Sequence, residues 1–290
     1  MEFVSKVIPV TMLVFVVSSM LAVGLSLTVR QILDPLRNVK LVSLALLVNF
    51  FLVPLSAYGI ARLLRLDEPL GVALMLLGTA AGAPFLPKLA AVAKGSLAFA
   101  VGLMVLLMVL TVGYMPLVLP LLLEGVSVDP MKIARSLILL MLLSLAAGLA
   151  VKARYEVVAG RVGPLLNRVS SLSLALMIVL LLVTNIRNIV DLFGTRGILA
   201  SVIFLLLGTG MGWFLGGPTF GTRGVLALGT AQRNIAAALV VGGQNFSDPK
   251  VVVMIVVVAI VGLLVLMPIA RLVARATTDG NAATVPGSVS

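Results

Sequence analysis

Two cations stand inside apolar runs. Arg233 has nine uncharged residues before it and fourteen after it, and Gln232 and Asn234 flank it. Lys88 closes an uncharged run from Leu70 that also holds Gly78, Gly82, Pro84 and Pro87. On insertion scales a charge at the centre of a membrane helix costs roughly 2.5–3.5 kcal/mol, so such residues face the bundle interior or a water-filled cavity. A guanidinium stays protonated and donates to several acceptors at once. A buried lysine can lower its pKa and exchange a proton. The chemistry on offer is therefore electrostatic: a fixed positive charge for an anion, with Lys88 as the one titratable candidate. Lys88 has a second reading, as a side chain reaching the surface beside Lys94, six residues on.

Other chemistries lack their residues. No Asp or Glu lies within an apolar run, and the chain has no His and no Cys. That removes thiolate nucleophiles, imidazole bases and the usual zinc sites. An enzyme is not expected, nor a metal or cofactor. The net charge is +11, but the basic residues are scattered between apolar runs and form no stripe for nucleic acid.

The elements that must position these residues are membrane helices. The chain has 290 residues, 61% hydrophobic and 11% charged, against about 25% charged in soluble domains. Nine apolar segments emerge, near the length a span needs: Val7–Val29, Leu41–Ala61, Leu70–Pro87, Gly95–Leu123, Ser136–Val151 extending toward Met131, Val169–Ile186 after a basic loop, Gly197–Thr222, Gly224–Phe246 and Val251–Ala270. The first is too long for a signal peptide's apolar core. The expected fold is an all-α polytopic membrane protein of about nine transmembrane helices. The unit is 1–275; a polar tail, 276–290, is expected to be disordered.

With the N-terminus outside, the inner side carries Arg30, Arg37, Lys40, Lys94, Lys152, Arg154, Arg161, Arg168, Arg223, Arg271 and Arg275. The outer side carries Lys6, Arg62, Arg65, Lys132, Arg135, Arg187, Arg196 and Lys250. The excess of eleven over eight favours the N-terminus outside and the C-terminus in the cytoplasm. The expected location is the plasma membrane, in a bacterium the inner membrane.

A repeat links the two cations. Leu77-Gly78-Thr79-Ala80 recurs as Leu228-Gly229-Thr230-Ala231, and both runs open on Gly-Val, at Gly71-Val72 and Gly224-Val225. The two segments enter from opposite sides, as an inverted repeat requires. Paired interrupted helices in the two halves mark a transporter's binding site. A broken helix frees backbone groups, tolerated only where protein or a cavity satisfies them. Gly82, Pro84 and Pro87 suit such a break, and the Gly242-Gly243 pair is a second candidate.

These residues resemble a known family. Val23-Gly24-Leu25-Ser26-Leu27, then a basic loop, then Asn49-Phe50-Phe51-Leu52-Val53-Pro54, looks like the second and third spans of the bile acid:sodium symporters. Ala93-Lys94-Gly95-Ser96-Leu97-Ala98 resembles the turn after their fourth span. Thr230-Ala231-Gln232-Arg233-Asn234-Ile235-Ala236-Ala237-Ala238 resembles their ninth. The resemblance covers nearly the whole chain and begins at the family's second span. It implies an inverted repeat with two crossing discontinuous helices. It also implies a panel (7–29, 131–152, 165–190) beside a core (37–123, 197–275).

The departures fall on the family's sodium ligands. By this alignment Leu86 and Pro87 replace a Ser-Asn pair, and Ala100 and Met104 replace hydroxyls. Gly229 replaces a shared Glu, Arg233 replaces a Gln, and Asn49 keeps an amide. The resemblance and these departures together imply a secondary carrier of a small organic anion, not sodium-coupled in the family manner, with Arg233, alone or together with Lys88, supplying the charge of bound sodium. The candidate substrate-binding or coupling residues are Asn49, Thr79, Pro84, Pro87, Lys88, Thr230, Gln232, Arg233 and Asn234. The partners are an anionic solute and the bilayer. Alternatives are a proton-coupled or efflux carrier of related fold, a transport-inactive sensor or scaffold, and a channel.

Overall fold

The computed structural model describes residues 2–123, 129–184 and 195–283. Arg187, residues 185–190 of the expected panel and 284–290 of the tail lie outside them, as does the Lys6 side chain. Among the described residues all regular structure is helical, and eight helical stretches are long and apolar enough to cross a membrane.

Helix α1 (Glu2–Ser26) leads through the short α2 (Val29–Leu33) to α3 (Val39–Leu47), which continues as α4 (Val53–Leu63). Between α3 and α4, Val48–Leu52 form one π-helical turn. Pro54 has no N–H for the carbonyl of Phe50 four residues back; the Tyr114 hydroxyl donates to that carbonyl at 2.5 Å instead. Next come α5 (Glu68–Thr79), α6 (Leu86–Val92) and α7 (Leu97–Leu122). A second π turn, Ile138–Leu142, joins α8 (Pro130–Leu137) to α9 (Leu143–Arg154). The chain ends with α10 (Glu156–Thr184), α11 (Gly197–Leu215), α12 (Phe220–Ala231), α13 (Ile235–Asn245) and α14 (Pro249–Ala283).

Helix α1 packs along α9 and α10 in one group. Helices α3 to α7 pack with α11 to α14 in another, and α13 touches both α1 and α8. Burial differs most between one helix of each group. The apolar window of 220–245 is 89% buried, that of 156–181 only 17%. The broken helix 220–245 runs through the middle of the molecule, whereas α10 turns most of its surface outward, where lipid is the natural neighbour.

The segment 70–87 is broken as its glycine and prolines forecast: α5 stops at Thr79 and α6 starts at Leu86. Four expectations change. The second break falls at Gln232–Asn234, not at Gly242-Gly243, which lie inside α13. Gly242 is there a packing residue, since a Cβ on it would meet Ile255 Cδ1 at 3.0 Å. The basic stretch before Val169 is helical from Glu156, so Arg161 and Arg168 sit on α10 rather than in a loop. Helix α14 runs on to Ala283, into the tail expected to be disordered from 276. Gly216 and Gly217 end the seventh segment at Leu215, and Phe220 already belongs to the eighth.

Candidate functional site: a guanidinium between two helix breaks

The repeated tetrapeptide closes both first half-helices. Leu77-Gly78-Thr79 ends α5 with Ala80 as its cap, and Leu228 to Ala231 end α12. A helix C-terminus leaves carbonyls without partners and carries the negative end of the helix dipole. Both ends meet at mid-molecule, so the site must provide hydrogen-bond donors and, best, positive charge.

Arg233 provides both. It is 2% exposed. Its Nε donates to the Leu77 carbonyl at 2.9 Å and its second terminal nitrogen to the Gly78 carbonyl at 2.8 Å. The other terminal nitrogen donates to the Thr230 carbonyl at 3.1 Å and to Asn49 Oδ1 at 2.7 Å. The guanidinium thus joins the C-termini of both half-helices to the π turn of 48–52. Asn49 is fully buried. Its Nδ2 donates to the Ala45 carbonyl at 3.0 Å and to Thr230 Oγ1 at 3.3 Å, which fixes its oxygen toward Arg233.

The Ala80 carbonyl and both Ala81 backbone groups are also satisfied from outside the break. Asn234 N donates to the Ala80 carbonyl at 2.9 Å. Thr111 on α7 accepts from Ala81 N at 3.0 Å and donates to the Ala81 carbonyl at 3.1 Å. Gly82 has φ +81°, open to glycine, and a Cβ there would lie 2.3 Å from Met108 N, so α7 passes against bare backbone. Pro87 enters the first turn of α6, where a missing N–H costs nothing. Asn234 caps α13 by accepting from Ala237 N at 3.0 Å. Its Nδ2 is buried without a protein partner, alone in this among the described residues.

The structure brings together Asn49, Thr230, Arg233 and Asn234. Thr79 is buried beside them, but its hydroxyl donates to the Met75 and Leu76 carbonyls of its own helix. Pro84 sits in the break, Pro87 starts α6, and Gln232 caps α12 half-buried. Lys88 does not join the cluster. It is exposed on α6, with Nζ 5.6 Å from the centre of the Phe85 ring. It lines a groove of about 460 Å³ with Asn167, Arg168, Ser171 and Leu172 of α10. Sequence reading missed Thr111, Tyr114 and Arg168. Thr111 and Tyr114 did carry a signal, as the hydroxyls of an otherwise apolar run from 97 to 123.

Hydrocarbon fills the space between α6 and α12 at Leu86. Leu86 is fully buried, and a Cβ on Gly229 would lie 2.8 Å from its Cδ2. Ala100 and Met104 are buried too. No cluster of three or more His, Cys, Asp or Glu that could hold a metal occurs among the described residues.

The sequence profile of the Sodium Bile acid symporter family matches residues 11–192, which include the first break and stop short of the second. A relative from Arabidopsis thaliana, "Probable sodium/metabolite cotransporter BASS6, chloroplastic", is 25% identical over 245 residues, 80% of this chain and 60% of that protein. The chain therefore spans about 60% of that relative's length. With the family match covering most of its length and the two broken helices in place, the chain belongs to the sodium bile acid symporter family.

Proposed function

We propose that the chain is a secondary carrier of a small organic anion, working by alternating access, in which Arg233 stands permanently where a coupling sodium would bind. The observation that carries this reading is the four-way bonding of the Arg233 guanidinium to Leu77, Gly78, Thr230 and Asn49. Backbone carbonyls at broken helices are the groups that hold coupling cations in secondary transporters. Here they are occupied by a side chain that cannot leave. The hydrocarbon packing of Leu86 on Gly229 supports the same conclusion for the first sodium position.

The packing also fits rocking of two units. We assign α1 and α8 to α10 to the panel and α3 to α7 with α11 to α14 to the core, giving nine crossings when α5 and α6 count as one. Panel and core are latched at one end, where Ser136 of α8 hydrogen-bonds Gln244 of α13. Beside them Met12 lies over Gly243, so close that a Cβ there would be 3.0 Å from its methyl. Toward the other end α6 and α10 are parted by the groove at Lys88. With the N-terminus outside, the latch is extracellular and the groove opens to the cytoplasm.

The test is flux through purified full-length protein in liposomes, across a panel of small carboxylates and sulfonates, with sodium or choline as the external cation. Uptake or exchange of an anion at equal rates in the two salts is expected. Strong dependence on a sodium gradient sinks the sodium-free mechanism. Absence of any solute flux favours a sensor or scaffold, and conductance too fast for alternating access favours a channel.

A further inference from the structure

We propose that Lys88 and Arg168 together form the seat for the anionic head of a soluble substrate, in the groove between α6 and α10. This rests on the carrier reading above and names the site where the substrate's charge is held.

Depth is the first argument. Arg168 is the thirteenth of the 29 described residues of α10, about 18 Å along its axis, and this described stretch is about 43 Å long. Centred on a hydrocarbon layer of about 30 Å, the helix places Arg168 roughly 12 Å inside. An exposed arginine at that depth needs water or an anion, not lipid tails. Asn167 and Ser171 are exposed on the same stretch, and positions three and four apart share a helix face. Lys88 approaches the same space from the core side.

Charge is the second argument. Neither Lys88 nor Arg168 has an acidic partner among the described residues, whose close ion pairs are Arg30–Asp34, Arg37–Asp34 and Lys152–Glu156. The groove lining holds two cations, an amide, a hydroxyl and Leu172, with no acid. Two cations sharing a groove repel each other, and an anion relieves that repulsion. Arginine and lysine take a carboxylate or sulfonate head, with the amide and hydroxyl as further donors. A volume of about 460 Å³ suits a small organic solute, and Leu172 offers apolar contact for its body. Arg233, by contrast, is buried with four of its five N–H donors taken by the protein, so its part is structural while the mobile anion is held here.

The test reads binding separately from transport. An amine-reactive stilbene disulfonate bearing isothiocyanate groups is applied to the full-length protein in phosphatidylcholine nanodiscs. The lysine Nζ adds to the isothiocyanate carbon, its proton passes to nitrogen, and a thiourea forms with no leaving group. Mass spectrometry follows labelling at Lys88 against the exposed Lys40 and Lys132. Neutral phenyl isothiocyanate is the control probe. Arg168→Gln, a change on an exposed face, should slow disulfonate labelling of Lys88 by about fivefold or more and leave phenyl isothiocyanate labelling unchanged. Equal loss with both probes, or no loss, overturns the seat. Adding phosphatidylglycerol separates the sources of anion. If it abolishes the labelling difference while free benzoate and benzenesulfonate do not compete, the groove seats a lipid headgroup and the proposal falls. Selective labelling without solute flux sinks the carrier reading and leaves the seat standing. Flux with unchanged KM in Lys88→Gln and Arg168→Gln sinks the seat and leaves the carrier standing.

Discussion

The first break, 80–85, holds no polar side chain; the second, 232–234, holds nothing else. Ala80 to Phe85 expose bare backbone, and Ala80 and Ala81 find partners elsewhere, in Asn234 N and Thr111 on α7, while the Arg233 guanidinium takes the Leu77 and Gly78 carbonyls just before the break. Gln232, Arg233 and Asn234 bring their own donors and acceptors and use them on the first break as well as on their own. One break is an acceptor surface and the other its donor. Half-helices in a membrane interior must have their end groups satisfied by protein or water, and here one arginine closes both C-termini. The two halves share the tetrapeptide that ends the helix and differ in the residues directly after it.

Removing the shared donor should have the largest effect. Arg233→Ala leaves the Gly78 and Thr230 carbonyls and Asn49 Oδ1 without their partner, and Leu77 with only the Ala80 N–H at 3.2 Å. Each orphaned buried acceptor costs about 1–3 kcal/mol, so a loss of at least about 3 kcal/mol is expected even if water enters. Thermal unfolding in detergent should fall sharply and anion flux should vanish. The orphaned oxygens then resemble a cation site. Sodium, compared with choline at equal strength, should raise the variant's melting temperature by a few degrees through binding and leave the wild type unchanged. An unchanged melting temperature for the variant, or full flux, breaks the comparison.

Gly82→Ala attacks the acceptor side alone. A left-handed conformation costs a non-glycine residue about 1–2 kcal/mol. The added Cβ would also lie 2.3 Å from Met108 N and 2.7 Å from the Met104 carbonyl, both backbone atoms that cannot rotate away. A loss of about 2–4 kcal/mol is expected, with expression reduced more than in Pro84→Ala. Equal behaviour of the two variants would mean that α7 is free to move off the break. Thr111→Val is the milder version. It keeps shape but removes both bonds to Ala81, so about 1–2 kcal/mol should be lost, read as a lower melting temperature with flux retained.

The sequence made the two ends of this arrangement legible for different reasons. Gly82, Pro84 and Pro87 announce a break through local backbone rules, and Arg233 announces itself because a lone cation inside an apolar run has few tolerable surroundings. Neither rule says who meets whom. The bonds from Arg233 reach back 156 residues to Leu77 and 184 to Asn49, and no local pattern encodes such a span. Lys88 can be read two ways because a lysine stem reaches several ångströms; it is exposed, but into a groove shared with α10. Arg168 hides in a stretch that reads as a loop, because its charges look like the end of a span when the helix simply continues. Gly242-Gly243 resembles a break because glycine serves packing and breaking alike.

The smallest expected effect bears on what the second break keeps in reserve. Asn234 uses its oxygen to cap α13 and its N–H to hold Ala80, while its Nδ2 is buried and unpartnered. Such a donor costs stability unless something docks against it. Asn234→Ser keeps a capping oxygen of equal rank and deletes the orphan donor, so stability should change by less than about 1 kcal/mol. If the orphan serves only packing, flux follows stability and stays near wild type. If it meets the substrate or a bound water during the cycle, KM for the anion rises while the melting temperature holds. That split would make the second break a binding element as well as the first break's partner. Unchanged KM would leave Arg233 as the sole reason for its polar sequence.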